Sequence, residues 1–238
     1  MVATATRAKR HKRAGVEKPQ AESTAPPVTV VSEQRVAIPK TSWKTYQLLL
    51  RDRGERSRPR FTYDRGCLEI VSPTMRHDRA SYVLGQLLEF VAVELRVPVV
   101  GVATTTYSRE DIDAGFEGDN SYYVRHASQM KDVEDLDLKI HPVPDIVIES
   151  DLTRSSLNKL ELFTRFRVPE VWRIENDQVL VYVLVGEAYE MRDASEALPI
   201  LNAGDMTRLL ATGRTKERPE WVDEIRAWVG DQTKARST

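Results

Sequence analysis

The nine residues Val143-Pro144-Asp145-Ile146-Val147-Ile148-Glu149-Ser150-Asp151 decide the fold class of this chain. Their centre is apolar and β-branched, which is typical of a strand that is buried on both faces of a sheet. Because side chains alternate along a strand, the three carboxylates at odd-numbered positions are expected to share one face. Burial of a carboxylate there is costly unless the group is paired or bound to a cation.

Helix and strand patterns flank this strand on both sides. Apolar residues at helical spacing predict helices, and β-branched or aromatic runs between turn residues predict strands. The order predicts one mixed α/β domain with a central sheet and no internal repeat. Helices are predicted at 43–50, 78–95, 158–166, 205–211 and 219–229, and strands at 60–63, 67–71, 97–105, 120–124, 144–150, 170–174, 179–185 and 189–192.

The charge of the chain is unevenly distributed. Its 238 residues carry 35 Lys+Arg and 36 Asp+Glu, a formal net charge of −1, but the first twenty residues hold six basic side chains against Glu17 alone. We predict a disordered basic tail over residues 1–37, one domain over 38–231 and a flexible C-terminus over 232–238. A solvated leader is the favoured interpretation of the tail, with a phosphate-binding arm and a targeting peptide as alternatives.

Composition also excludes several classes of protein. The single cysteine, Cys67, excludes an intrachain disulfide framework and any multi-cysteine metal site. No apolar run approaches the roughly 18 residues that span a bilayer. We therefore expect a cytoplasmic protein without a membrane partner.

Candidate chemistry lies at the end of the central strand. Ligands of open α/β sheets bind at the carboxyl ends of strands, where Glu149 lies, and Lys159 in the next helix could reach the same edge. Upstream, Glu117 and Asp119 precede a short aromatic strand. Two carboxylates from adjacent strands suit Mg²⁺, and an ammonium beside them can orient water or stabilise phosphate charge. On the chemistry alone, structural salt bridges or helix caps are the favoured interpretation of these acids, and a metal site is the alternative.

Three segments resemble one known family. They are PDIVIESDLTRSSLNKLELFTRFRVPEVWRIENDQVLVY at 144–182, GFEGDNSYYV at 115–124 and LEIVSPTMRHDRASYVLGQLLEF at 68–90. The first is similar to the signature of the Uma-two family of bacterial endonucleases, within the PD-(D/E)XK restriction-endonuclease-like superfamily. The resemblance extends from about Ile38 to Val229 and omits the tail.

This resemblance implies a restriction-endonuclease-like fold, a mixed central sheet flanked by helices, and hydrolysis of DNA phosphodiester bonds with Mg²⁺ or Mn²⁺. It implies that Asp119 and Glu149 bind the metal and that Lys159 acts with them in catalysis. The superfamily pattern has its lysine two residues after the second acid, where this chain has Asp151, so Lys159 is taken as the lysine moved onto the following helix. DNA is the implied partner, and a homodimer is expected by analogy.

Other candidates are weighed against these. Asp145 lies about 13 Å from Glu149 at roughly 3.3 Å per residue, too far to share a metal. His77 is interpreted as a surface or capping residue, with a phosphate contact as the alternative, and Glu117 has a metal role only as its second interpretation.

Two rival functions are kept open. One is a catalytically silent DNA- or protein-binding module on the same fold. The other is a metal-dependent hydrolase with a different substrate, since a fold does not fix a function.

Overall fold

The computed structural model describes residues 34–150 and 157–236, and their strands form two sheets. The helices are α1 (Trp43–Arg53), α2 (Met75–Leu95), α3 (Ala127–Met130), α4 (Lys159–Phe166), α5 (Ala203–Thr215) and α6 (Arg218–Arg236). The strands are β1 (Gln34–Pro39), β2 (Arg60–Asp64), β3 (Cys67–Ser72), β4 (Val100–Gly101), β5 (Thr106–Arg109), β6 (Ala114–Glu117), β7 (Asn120–Tyr123), β8 (Ile146–Ser150), β9 (Glu170–Glu175), β10 (Gln178–Val185) and β11 (Ala188–Arg192). A five-stranded sheet has the order β1-β3-β2-β6-β5, and a six-stranded sheet has the order β11-β10-β9-β8-β7-β4.

The predicted mixed α/β class is confirmed, and the described residues pack into one compact unit. The strands are divided over two sheets where the sequence suggested one central sheet. The division begins in the predicted strand at 97–105, of which only Val100–Gly101 pairs with β7. After a left-handed residue at Ala103, the chain enters the other sheet as β5. The apolar run at 97–105, predicted as one strand, therefore contains the connection from the six-stranded sheet to the five-stranded sheet.

Both predicted domain boundaries need correction. Strand β1 pairs with β3 from Gln34 to Pro39, so residues 34–37 belong to the folded domain and not to the tail. Residues 1–33 lie outside the described part of the chain. At the other end, α6 continues to Arg236, which donates a hydrogen bond to the Pro199 carbonyl at 2.8 Å. Residues 232–236 are therefore helical, and the predicted flexible end is wrong for them.

Strand β8 lies between two apolar layers, as its sequence predicts. Ile146 and Ile148 face a core built with helices α2, α5 and α6. Val147 faces the opposite core, where Phe163 and Phe166 of α4 pack. The two-sided burial fixes which β8 side chains point toward α4, and Glu149 is one of them.

No helix among the described residues is long and apolar enough to cross a membrane.

Helices α5 and α6 approach closely at a glycine. A Cβ atom on Gly213 would lie 2.5 Å from the buried indole of Trp221, which donates a hydrogen bond to the Leu209 carbonyl at 2.8 Å. Gly230 in α6 has open space where its Cβ would be. The two glycines therefore provide a matched pair, one required by packing and one not.

We expect Gly213→Ala to lower the free energy of unfolding by about 1–2 kcal/mol, because steric overlap with Trp221 outweighs the better helix propensity of alanine. Gly230→Ala should raise it by about 0.5–1 kcal/mol. Urea unfolding of both variants measures the difference. Equal effects of the two substitutions would contradict the close packing of α5 on α6.

Candidate active site

The candidate site is built around Glu149 at the end of β8. Its side chain is 7% exposed, and its Oε2 accepts a hydrogen bond from Lys159 Nζ at 2.5 Å. Helix α4 begins at Lys159 because the Asn158 side chain caps it by accepting from the Glu161 amide. Within the described part of the chain, Glu149 Oε1 is buried without a hydrogen-bond partner. One carboxylate oxygen is thus paired with Lys159, and the other has no hydrogen-bond partner among the described residues.

Asp119 lies at the point where the chain passes from one sheet to the other. It falls between β6 of the five-stranded sheet and β7 of the six-stranded sheet. A Cβ on Gly118 would lie 2.9 Å from Val147, so the glycine allows this crossing to approach β8. Since Asn120 pairs with Ile148, Asp119 is beside Glu149, and its Oδ2 accepts from the Ser150 amide at 2.7 Å.

The first turn of α2 contributes a histidine. Thr74 caps this helix, and His77 is buried with Nδ1 3.3 Å from Asp119 Oδ2. The interpretation of His77 as a surface or capping residue is therefore wrong. The helical spacing of buried positions in α2 could have indicated the burial of His77, since Ala80 and Leu84 continue the same buried face.

Arg60, at the start of β2, joins the site and was not singled out in the sequence. Its side chain is 11% exposed, and its guanidinium contacts Asp119 Oδ1 and Asp78 Oδ1, the latter at 2.8 Å. Asp78 is on the first turn of α2 and also contacts Arg58. The two carboxylates on Arg60 come from distant parts of the chain, so no local pattern could have revealed this bridge.

Helix α4 is fixed to the five-stranded sheet by its arginine. Arg165 contacts the Asp64 carboxylate and the Ile112 carbonyl. Nearer the start of the helix, Arg65 pairs with Glu161 at 2.8 Å. These contacts hold the helix that carries Lys159 against the β2–β3 hairpin.

Burial and neighbouring charges shift the pKa values of Glu149 and Lys159. Burial raises the pKa of the Glu149 carboxyl. The Lys159 ammonium opposes this rise in pKa, and the Asp119 carboxylate adds to it. Burial lowers the pKa of Lys159, but Glu149 and Asp119 outweigh this effect and raise it above its ordinary value. Lys159 therefore keeps its proton, so it can donate a hydrogen bond and balance negative charge.

The donor set suits a hard divalent cation. Mg²⁺ commonly retains several waters and binds proteins through one or two carboxylates. Asp119 and Glu149 supply two carboxylates, and Glu149 Oε1, which has no hydrogen-bond partner within 34–150 and 157–236, is an oxygen that such an ion would satisfy. No group of three or more His, Cys, Asp or Glu side chains is arranged for a metal within 34–150 and 157–236.

The structure brings Asp119, Glu149 and Lys159 together, while their catalytic roles stay predictions. Two other acids are used elsewhere. Glu117 accepts from both terminal nitrogens of Arg53 at 2.5 and 2.6 Å, a structural pair. Asp145 accepts from the Val124 and His126 amides at 2.8 and 3.0 Å and stabilises the loop after β7.

Asp151, which occupies the position of the superfamily lysine, lies outside the described residues.

Comparison with known proteins gives the family. Residues 43–212 match the family model Uma2, described as "Putative restriction endonuclease". The chain belongs to the Uma2 family. The resemblance noted in the sequence is thereby confirmed, and the family is one of restriction-endonuclease-like nucleases. No curated protein matches the chain.

A solved structure is also similar, the crystal structure of "a putative nuclease belonging to DUF820" from Anabaena variabilis. It is 16% identical in sequence, with a TM-score of 0.46. The matched region covers 64% of this Uma2 chain and 92% of that chain.

We expect strong energetic coupling between Glu149 and Lys159, since removing either leaves the other buried without its partner. In a double-mutant cycle of Glu149→Gln and Lys159→Met, the double variant should lose about 1–3 kcal/mol less stability than the sum of the single losses. Urea unfolding provides the measurement.

The half-exposed pair Arg65–Glu161 is a matched control from the same helix and should couple by less than about 1 kcal/mol. Coupling no larger for Glu149–Lys159 than for this control would argue against a buried pair.

Proposed function

We propose that this Uma2 protein is a divalent-cation-dependent nuclease that hydrolyses DNA phosphodiester bonds at the Glu149–Lys159–Asp119 site. The single observation that carries the proposal is the buried Glu149, which has one oxygen on Lys159 and the other without a partner in the described chain. The family match supports the reaction class. Metal dependence and the DNA substrate are inferred from the chemistry of the site.

Each residue has a role in this proposal. Asp119 and Glu149 would hold the cation. Bound Mg²⁺ or Mn²⁺ supplies a Lewis acid that polarises a phosphoryl oxygen and lowers the pKa of a coordinated water. Lys159 donates to a phosphate oxygen and balances the charge that develops as water oxygen bonds to phosphorus and the bond to the leaving oxygen breaks. The Ser150 amide positions Asp119.

A basic groove at the start of α2 supports DNA as the substrate. The groove has a volume of about 430 Å³ and is lined by Met75, Arg76, Arg79 and Arg214. Asp177 pairs with Arg214 at 2.5 Å and lies 3.7 Å from Arg76, so the groove keeps a net positive charge. Arg76 and Arg79 flank His77 on the first turns of α2. A phosphate backbone in this groove would contact the helix that carries His77.

The proposal predicts that purified protein cleaves plasmid DNA with Mg²⁺ or Mn²⁺ and not with EDTA. Glu149→Gln should slow cleavage by about 100-fold or more, because a lost cation ligand removes several kcal/mol of transition-state stabilisation. Glu161→Gln changes an exposed glutamate of α4, the helix that begins with Lys159, and serves as the control. Gel analysis of nicked and linear products gives the rates.

Cleavage that survives Glu149→Gln at the control rate would overturn the site assignment. DNA binding without any metal-dependent cleavage by the wild type would instead support the silent binding module.

The groove gives a separate prediction. Arg76→Gln/Arg79→Gln should weaken duplex binding in EDTA and reduce the slope of log affinity against log salt by about 2, roughly 0.9 for each phosphate contact removed. Fluorescence anisotropy over a salt series measures both. Arg125→Gln/Arg192→Gln removes two partly exposed arginines that do not line the groove and should leave the slope unchanged. Equal slopes for both double variants would exclude the groove as the DNA contact.

A further inference from the structure

Among the described residues, the ion pairs of the candidate site are balanced in charge. Arg58, Arg60 and Lys159 contact Asp78, Asp119 and Glu149, three cations against three carboxylates. A divalent cation would bring two further positive charges into a region where the carboxylates are mostly buried. Charges of like sign at such short range repel strongly when water is excluded. An added cation would therefore compete electrostatically with the resident cations.

Arg60 is the resident cation best placed to do so. Its guanidinium contacts Asp119 Oδ1. The Ser150 amide and His77 lie at the other carboxylate oxygen, Oδ2. An ion that binds Asp119 through Oδ1 would therefore compete with Arg60 for the same oxygen.

Asp78 provides the place to which Arg60 can withdraw. The guanidinium already donates to Asp78 Oδ1 at 2.8 Å, so it can leave Asp119 without becoming an unpaired buried charge. A planar fork that donates to two carboxylates at once is a property of arginine, and the point charge of lysine cannot reproduce it. Arg60 can thus remain paired with Asp78 after its contact with Asp119 is broken.

We propose that Arg60 is a positioning residue that competes with the divalent cation for Asp119 and thereby sets the cation affinity of the free protein. The inference rests on the proposed function, since it takes Asp119 and Glu149 as cation ligands. It adds a residue outside the acid–lysine pattern. A phosphodiester, which is an anion and a good partner for a guanidinium, would release Asp119 by drawing Arg60 away. Cation and substrate would then bind cooperatively.

Isothermal titration with Mn²⁺ alone, without DNA, tests the proposal. Arg60→Gln should bind Mn²⁺ about tenfold more tightly than the wild type, because both the competitor and its positive charge are removed. Arg60→Lys keeps the charge and loses the fork, so it should bind about threefold more tightly. Arg125→Gln removes one positive charge that pairs with Glu196 and makes no ion pair to Asp119 or Glu149, and should stay within about twofold of the wild type.

Several results would overturn the competition. Unchanged affinity in Arg60→Lys, with tighter binding in Arg60→Gln, would assign the effect to the general field of the charge. Equal affinity in all four proteins would remove Arg60 from cation binding while leaving the nuclease proposal in place, provided that Glu149→Gln abolishes binding. Mn²⁺ binding that persists in Glu149→Gln, or is absent from every variant, would reject the cation site itself. Thermal unfolding of each variant verifies that it is folded.

Discussion

The rest of the structure depends on burying one carboxylate inside an apolar layer. Glu149 sits at the end of a strand whose neighbouring side chains fill two cores, where a lone charge would be strongly disfavoured. Its partner Lys159 must therefore arrive from a second element at hydrogen-bond distance. That need explains why α4 follows β8 so closely and why Arg165 holds the helix against the β2–β3 hairpin.

The parts of the fold that local sequence could predict are those with strong local causes. The run Ile146–Ile148 is apolar on both faces, and it forms a strand between two cores. Asn158 is a good N-cap, and α4 begins at the next residue. The long apolar stripe of α2 gives a helix that reaches Leu95, although its start at Met75 lies three residues before the predicted one. Periodicity and capping depend on neighbouring residues alone, so a single sequence contains this information.

The parts that it missed depend on partners far away in the chain. Strand β1 has little alternation and exists because β3 pairs with it. Strand β6 contains a glycine and is only four residues long, and β2 and β5 define it. Arg60 and Asp119 are 59 residues apart, so their contact follows from how two sheets meet and not from any motif. The acids and lysine carried a family pattern, whereas the arginine that bridges two carboxylates did not.

The position of Asp119 between the sheets has a thermodynamic consequence. Arg60 belongs to the five-stranded sheet and Glu149 to the six-stranded sheet. A ligand that engages both would link the two sheets, so its binding energy would oppose their separation. Any ligand that binds the native state and not the unfolded chain raises stability in proportion to the logarithm of its excess concentration. Occupancy of this small site would therefore be reported by the melting temperature of the whole domain, far from the chemistry itself.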